Sequence, residues 1–215
     1  MIDAVVFDMD GVIVDSEQVW DDVREQLAKE RGGRWHDGAQ AAMMGMSSPE
    51  WSAYMHDEIG LPESPEEINA EVVARMLERY REELPLIDGA VDAVRPLAPE
   101  FRLGVASSSN RPLIEAVLER AGIADLFDTV VSSEEVARGK PAPDVYLEAM
   151  RRLGSEPART AAVEDSSNGI RAAHAAGMRV IALPNAHYPP APDALALADA
   201  VIESADELTP ELIRG

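Results

Sequence analysis

Cysteine is absent from the 215-residue chain, which excludes disulfides, thiolate metal sites and a cysteine nucleophile. Lysine is nearly absent. Lys29 and Lys140 are the two lysines among 19 basic residues, and the rest are arginines. Basic residues as a class are outnumbered by 40 acidic ones, for a formal charge of -21. Nucleic-acid affinity rests on phosphate contacts from a basic face. None is visible, so nucleic acid is excluded as a partner. The same imbalance repels an anionic substrate at long range, so any phosphate site needs its own local cations. Most of the acidity reads as a solvated surface. No apolar run approaches the ~20 residues that span a bilayer. The N-terminus enters the run IDAVVFD with no basic region ahead of it, unlike a signal peptide. The expectation is a soluble cytoplasmic protein with no membrane partner, monomeric or homodimeric.

What is present is a rhythm. Short β-rich runs at residues 2–7, 102–106, 129–132, 161–164, 179–183 and 200–202 alternate with helical patterns over 90–97, 111–121, 143–153 and 168–175. Gly122, Gly154 and Gly177 follow helical stretches, as C-terminal caps do. The alternation predicts βαβ units and an α/β fold with a Rossmann-like parallel sheet core. The first strand breaks the pattern. After it, residues 16–84 carry no strand signal but show helical periodicity over 17–31, 48–58 and 65–84. Gly32, Gly33, Gly45, Gly60 and Pro62 punctuate that stretch. This reads as an all-helical cap domain, 16–84, inserted into a core made of 1–15 and 85–215. The proline-rich stretch 184–192 reads as a surface loop.

In an open α/β sheet, ligands bind beyond the carboxyl ends of the strands, where strand order reverses. The first strand runs out at Asp8-Met9-Asp10-Gly11, the second at Ser107-Ser108-Ser109-Asn110, the fourth at Glu164-Asp165-Ser166. The opposite ends carry nothing comparable. In an extended chain, Asp8 and Asp10 project to the same face. Two carboxylates about 4 Å apart repel by roughly 4 kcal/mol at an effective dielectric of about 20. A lone aspartate at a strand end more often caps a turn. Asp8, Asp10, Glu164 and Asp165 together instead require a divalent cation, and their hard oxygens favour Mg²⁺. Gly11 lets backbone N–H groups approach an anion. Ser107, with Ser108 beside it, reads equally as a helix start or as an anion-binding hydroxyl. Lys140 lies in Arg138-Gly139-Lys140-Pro141-Ala142-Pro143-Asp144, a loop stiffened by two prolines. A compact ammonium there would offset the carboxylates and hold a phosphate.

The set Asp8-Met9-Asp10-Gly11-Val12 with Asp15-Ser16-Glu17, then Ser107, then Gly139-Lys140-Pro141-Ala142-Pro143-Asp144, then Glu164-Asp165-Ser166-Ser167-Asn168-Gly169, occurs in that order along the whole chain. It resembles the haloacid dehalogenase superfamily, in the helical-cap subgroup that holds β-phosphoglucomutase and small sugar-phosphate phosphatases. The resemblance implies that Asp8 is a nucleophile forming an aspartyl-phosphate and that Asp10 is the general acid and then the general base. It also implies that Mg²⁺ is held by Asp8, the Asp10 carbonyl, Glu164 and Asp165, with Ser107 and Lys140 on the phosphoryl oxygens. Dehalogenases of the superfamily lack an acid at the position of Asp10, so phosphoryl transfer is implied. In the cap, the chain departs from β-phosphoglucomutase. Trp20, Met44 and Ser48 stand where the mutase has histidine, lysine and arginine, the groups that hold a second phosphate. A phosphatase of a small phosphorylated metabolite is therefore expected. The alternatives are a sugar phosphomutase and a non-catalytic phosphate-binding regulatory protein. Glu17, Trp20, Gly45 and Met46 in the cap and Asn110 in the core are the expected substrate contacts. Met43, Met44 and Met46 read either as a soft lid or as core filler.

Overall fold

The computed structural model describes residues 1–44, 46–185 and 188–215. After β1 (Ala4–Phe7), the described residues form the helices α1 (Glu17–Glu30), α2 (Ala39–Met43), α3 (Ser48–Asp57) and α4 (Pro65–Glu82). Then α5 (Ala90–Leu97), β2 (Arg102–Ser107), α6 (Arg111–Arg120), β3 (Thr129–Ser132), α7 (Asp144–Leu153) and β4 (Thr160–Glu164) follow. The chain ends with α8 (Ser167–Ala175), β5 (Arg179–Ala182), α9 (Pro192–Leu195), β6 (Ala200–Val201) and α10 (Pro210–Arg214). The six strands form one parallel sheet in the order β3-β2-β1-β4-β5-β6. The fold is α/β and Rossmann-like.

The sequence explains the central strand. Residues of β1 are at most 1% exposed, and they alternate between two apolar clusters. Val5 and Phe7 join one, and Ala4 and Val6 the other. A strand buried on both faces needs an unbroken apolar run, and burying each Val or Phe contributes roughly 1.5–3 kcal/mol. Strands added after β1 go to one side through β3, then the chain crosses back to place β4 on the other side. The order thus reverses between β1 and β4, and the carboxyl ends of those strands carry Asp8 and Glu164.

The first apolar cluster extends beyond the sheet. It includes Trp20, Val23 and Leu27 of α1, Trp51 and Met55 of α3, and Met76 and Tyr80 of α4. On α1 the buried positions are Trp20, Val23, Arg24, Leu27 and Ala28, the spacing of one helix face. An arginine in that stripe is the exception to its apolar character. Helices α3 and α4 start at capping boxes, Ser47 with Glu50 and Ser64 with Glu67. Periodicity does not announce α2, because five residues make little more than one turn. The proline-rich stretch is not wholly surface loop: Pro190 is buried, and Pro192 begins α9. Proline at the first turn of a helix loses no hydrogen bond.

Candidate active site

Register brings the acidic groups together. Phe7 pairs with Val163 of β4, and the Asp8 amide donates to the Val163 carbonyl at 2.9 Å. Asp8 and Glu164 therefore leave neighbouring strands at the same level. Past Met9 the chain curls: the amides of Val12, Ile13 and Val14 all point to the Met9 carbonyl, at 3.3, 2.8 and 3.2 Å. Asp8 and Asp10 consequently diverge. Asp10 turns toward α1 and the loop after β2. Its carboxylate accepts hydrogen bonds from the Ser16 hydroxyl, the Ser109 hydroxyl at 2.7 Å, and the Ser107 hydroxyl and Trp20 indole at 3.4 Å each.

Lys140, on the loop before α7, is 5% exposed. Its Nζ donates to Asp8 Oδ1 at 2.8 Å and to Glu164 Oε1 at 2.6 Å, and lies 4.9 Å from the centre of the Tyr146 ring. The Tyr146 hydroxyl donates to the same Glu164 oxygen at 2.8 Å. The other Glu164 oxygen accepts from the amides of Asp165 and Ser166 at 3.0 and 3.2 Å. Burial alone would lower the Lys140 ammonium pKa. Asp8 and Glu164 outweigh it and hold the group above the ordinary lysine value.

One oxygen each from Asp8, Glu164 and Asp165 lies within 4.8 Å of the others, and all three residues are buried. Three carboxylates therefore face one ammonium. Burial raises the Asp8 carboxyl to about 8 against the pull of Lys140, with Glu164 and Asp10 adding to the rise. Burial, Glu164 and Asp8 push Asp165 well up too. A buried cluster short of positive charge, built of hard oxygens, fits a divalent cation. The Asp10 carboxylate is not among the three. Two glycines allow this crowding. Gly11 has φ +80°, and a Cβ there would overlap the Asp165 carboxylate. A Cβ at Gly169 would overlap that of Glu164.

A cavity of about 350 Å³ opens on this cluster. Asp8, Asp10, Lys140 and Asp165 line it from the sheet side, with Ser108 and Ser109. Glu17, Trp20 and Arg24 of α1 and Trp51 of α3 line it from the other side, as do Met43, Met44 and Met46. Ser107 is fully buried beneath Ser109, whose amide donates to the Ser107 hydroxyl at 3.0 Å. Glu164 is likewise fully buried. Asn110 does not line the cavity: it donates to Asn69 of α4 at 3.1 Å and to Glu134 at 2.7 Å, tying the loop after β2 to α4. Gly45 lies outside the described residues. Sequence reasoning missed Arg24, Gln40, Trp51, Ser109 and Tyr146, and missed Tyr188–Pro190 as cavity-lining residues. Arg24 did carry a signal, since it lies four positions after Trp20, on the same helix face.

Glu17 is held by Gln40, whose side-chain amide donates to its carboxylate at 3.0 Å. Burial raises the Glu17 carboxyl from 4.5 to about 7, and the Asp10 charge adds to the rise. The folded state thus keeps a proton that the unfolded chain loses near 4.5, and stability falls as pH rises from there through about 7. Above that window the penalty is complete, on the order of 1–2 kcal/mol after allowance for solvent screening. Glu17→Gln removes it. In chelator, the variant should melt about 2–8 °C above the parent at pH 8.5 and within about 1 °C of it near pH 4.5, by differential scanning calorimetry.

The sequence model of the haloacid dehalogenase-like hydrolase family matches residues 2–177. The chain is similar to hexitol phosphatase B of Escherichia coli K12, 34% identical over 223 aligned positions covering 99% of this chain and 96% of that protein. It is also similar to fructose-1-phosphate phosphatase YqaB of the same organism, 32% identical over 82% of this chain and 94% of that one. Among solved structures, CbbY from Rhodobacter sphaeroides in complex with phosphate superposes with a TM-score of 0.88, at 28% identity over 100% of both chains. Motif order, strand-end chemistry and these matches agree, and the chain belongs to the haloacid dehalogenase-like hydrolase family.

Proposed function

We propose that the chain is a Mg²⁺-dependent phosphatase that hydrolyses a small, sugar-phosphate-like metabolite through an aspartyl-phosphate on Asp8. The observation that carries this reading is the position of Asp8. It lies at the sheet's switch point, lines the cavity, and is tied by Lys140 to Glu164, with Asp165 beside it. A core of 1–15 and 85–215 under a cap of 16–84 would account for a cavity lined from both parts.

In this mechanism an Asp8 carboxylate oxygen attacks phosphorus and the bond to the leaving alkoxide breaks. Asp10, neighbouring Asp8 in the same cavity, gives a proton to that leaving oxygen. Asp10 then takes a proton from water, whose oxygen attacks the aspartyl-phosphate and releases inorganic phosphate and a free Asp8. Lys140 and Ser108 line the cavity that Asp8 lines, and in this reading they would meet the phosphoryl oxygens. Asp8, Glu164 and Asp165 would hold Mg²⁺, which supplies positive charge against the phosphoryl oxygens. The named relatives act on a hexitol phosphate and on fructose 1-phosphate, which supports a polyhydroxylated substrate.

A panel of phosphate esters assayed with Mg²⁺ and with chelator tests the reading. Phosphate release from sugar or polyol monophosphates, lost on chelation, is expected. No release from any ester, or release that survives full chelation, overturns it. Isomerisation of β-glucose 1-phosphate without phosphate release would mark a mutase instead.

A further inference from the structure

The cap side of the cavity contains one cation among its described lining residues, and it is poorly partnered. Arg24 is 5% exposed and lies between two indoles, its guanidinium carbon 4.4 Å from the centre of the Trp20 ring and 4.7 Å from that of Trp51. A guanidinium has five N–H donors. Here Nη1 donates to the Gln40 side-chain oxygen at 3.3 Å, Nε is buried without a partner, and Nη2 donates to no described residue. A buried donor left without a partner is destabilising. Arg24 lines the cavity that Asp8 lines, so a ligand there can supply what the fold withholds. Burial lowers the guanidinium to about 10, against the pull of Glu17 and Asp10, so it remains protonated at neutral pH.

The surroundings decide what kind of ligand fits. Gln40 is a two-ended bracket: its oxygen faces Arg24, and its nitrogen donates to the Glu17 carboxylate at 3.0 Å. One wall therefore offers guanidinium donors and a carboxylate acceptor, whose charges sum to about zero when Glu17 is ionised. A second phosphate or a carboxylate would meet Glu17 and Asp10 as well as Arg24, and gain little net attraction. A neutral hydroxyl both accepts and donates, so neighbouring hydroxyls match both ends of the bracket. Trp20 and Trp51 line the same cavity, so their indoles offer apolar surface to the intervening C–H groups. We propose that Arg24, positioned with Glu17 by Gln40, forms a tail subsite that selects phosphomonoesters bearing a chain of neutral hydroxyls over those ending in a carboxylate or a second phosphate. This rests on the phosphatase reading above and names its substrate class.

The test compares four probes: a hexitol 6-phosphate, phenyl phosphate, 2-phosphoglycolate and fructose 1,6-bisphosphate. The parent should prefer the hexitol phosphate by kcat/KM. In Arg24→Met the ratio of hexitol phosphate to phenyl phosphate should fall about 10- to 100-fold, chiefly through KM, with partial recovery in Arg24→Lys. Taking the ratio within each variant removes any loss of folded protein. An unchanged ratio overturns the proposal, as does a parent preference for the bisphosphate or the carboxylate ester. Should no ester turn over, the phosphatase reading fails separately. Calorimetric binding to Asp8→Asn then decides the subsite. Tighter binding of hexitol phosphate than of phenyl phosphate, lost in Asp8→Asn/Arg24→Met, supports it, and equal binding overturns it.

Discussion

Asp8→Asn should lower phosphate release by roughly 10⁴- to 10⁶-fold, the scale seen when a covalent nucleophile is removed, without destabilising the metal-free protein. The two halves of that expectation have one origin. Asparagine is nearly the same shape, and its side-chain oxygen can still accept from Lys140. What it lacks is the charge that, in the proposed mechanism, attacks phosphorus and helps hold a cation. In the parent, burial and the facing carboxylates raise the Asp8 carboxyl to about 8, against an ordinary 3.8. The folded state therefore binds an extra proton between those values, and stability falls as pH rises through that window. Removing the ionisable group removes the fall, so in chelator near pH 8 the variant should melt at or above the parent temperature. Adding Mg²⁺ should reverse the ranking, since a ligand bound only by the folded state stabilises it in proportion to the logarithm of its concentration over Kd. Parent and variant melting curves with and without Mg²⁺, alongside a phosphate-release assay, check both halves. Retained turnover would remove Asp8 from the nucleophile's role, and an equal Mg²⁺ response would remove it from the metal site.

How much of this site could be read beforehand follows from how each residue reaches it. Asp8, Glu164 and Asp165 sit at strand ends, and a parallel sheet carries its strand ends to one edge. Their meeting follows from strand order alone. Lys140 was legible through scarcity, one of two lysines in an acidic chain, in a stiff loop. Asp8 and Asp10 do not share one face as in an extended chain, because the strand ends at Phe7 and the chain curls around the Met9 carbonyl. Arg24 and Gln40 come together across α1 and α2, and Trp51 joins them from α3. Such a contact depends on how separate helices pack, which no local pattern states. Ser107 and Ser109 show the same limit on a smaller scale. Ser107 ends β2 and is fully buried, whereas Ser109, two residues on, reaches the cavity. Tyr146 resembles an ordinary buried aromatic until Glu164 is placed against its hydroxyl.

Replacing Lys140 with methionine should have the largest combined effect on stability and rate. Methionine can occupy much of the lysine stem's space, so the change is mainly electrostatic. Without the ammonium, Asp8 and Glu164 lose the cation that both contact. Breaking a buried ion pair from one side costs about 3–5 kcal/mol. For a chain of this length that corresponds to a fall in melting temperature of about 6–20 °C in metal-free buffer. Loss of one preorganised donor to the transferring phosphoryl group should lower kcat by about 10²- to 10³-fold. The two effects should separate when Mg²⁺ is added. A divalent cation among Asp8, Glu164 and Asp165 compensates the same carboxylates, so much of the lost melting temperature should return. It cannot replace an ammonium that, in the proposed mechanism, meets the phosphoryl oxygens, so kcat should stay low. Recovery of both by Mg²⁺ would reduce Lys140 to a counter-ion, whereas recovery of neither would mean that the three carboxylates do not hold the metal without it. Stability restored and rate still lost would give Lys140 two roles, stabilising the carboxylates before substrate arrives and the transferring phosphoryl group afterwards.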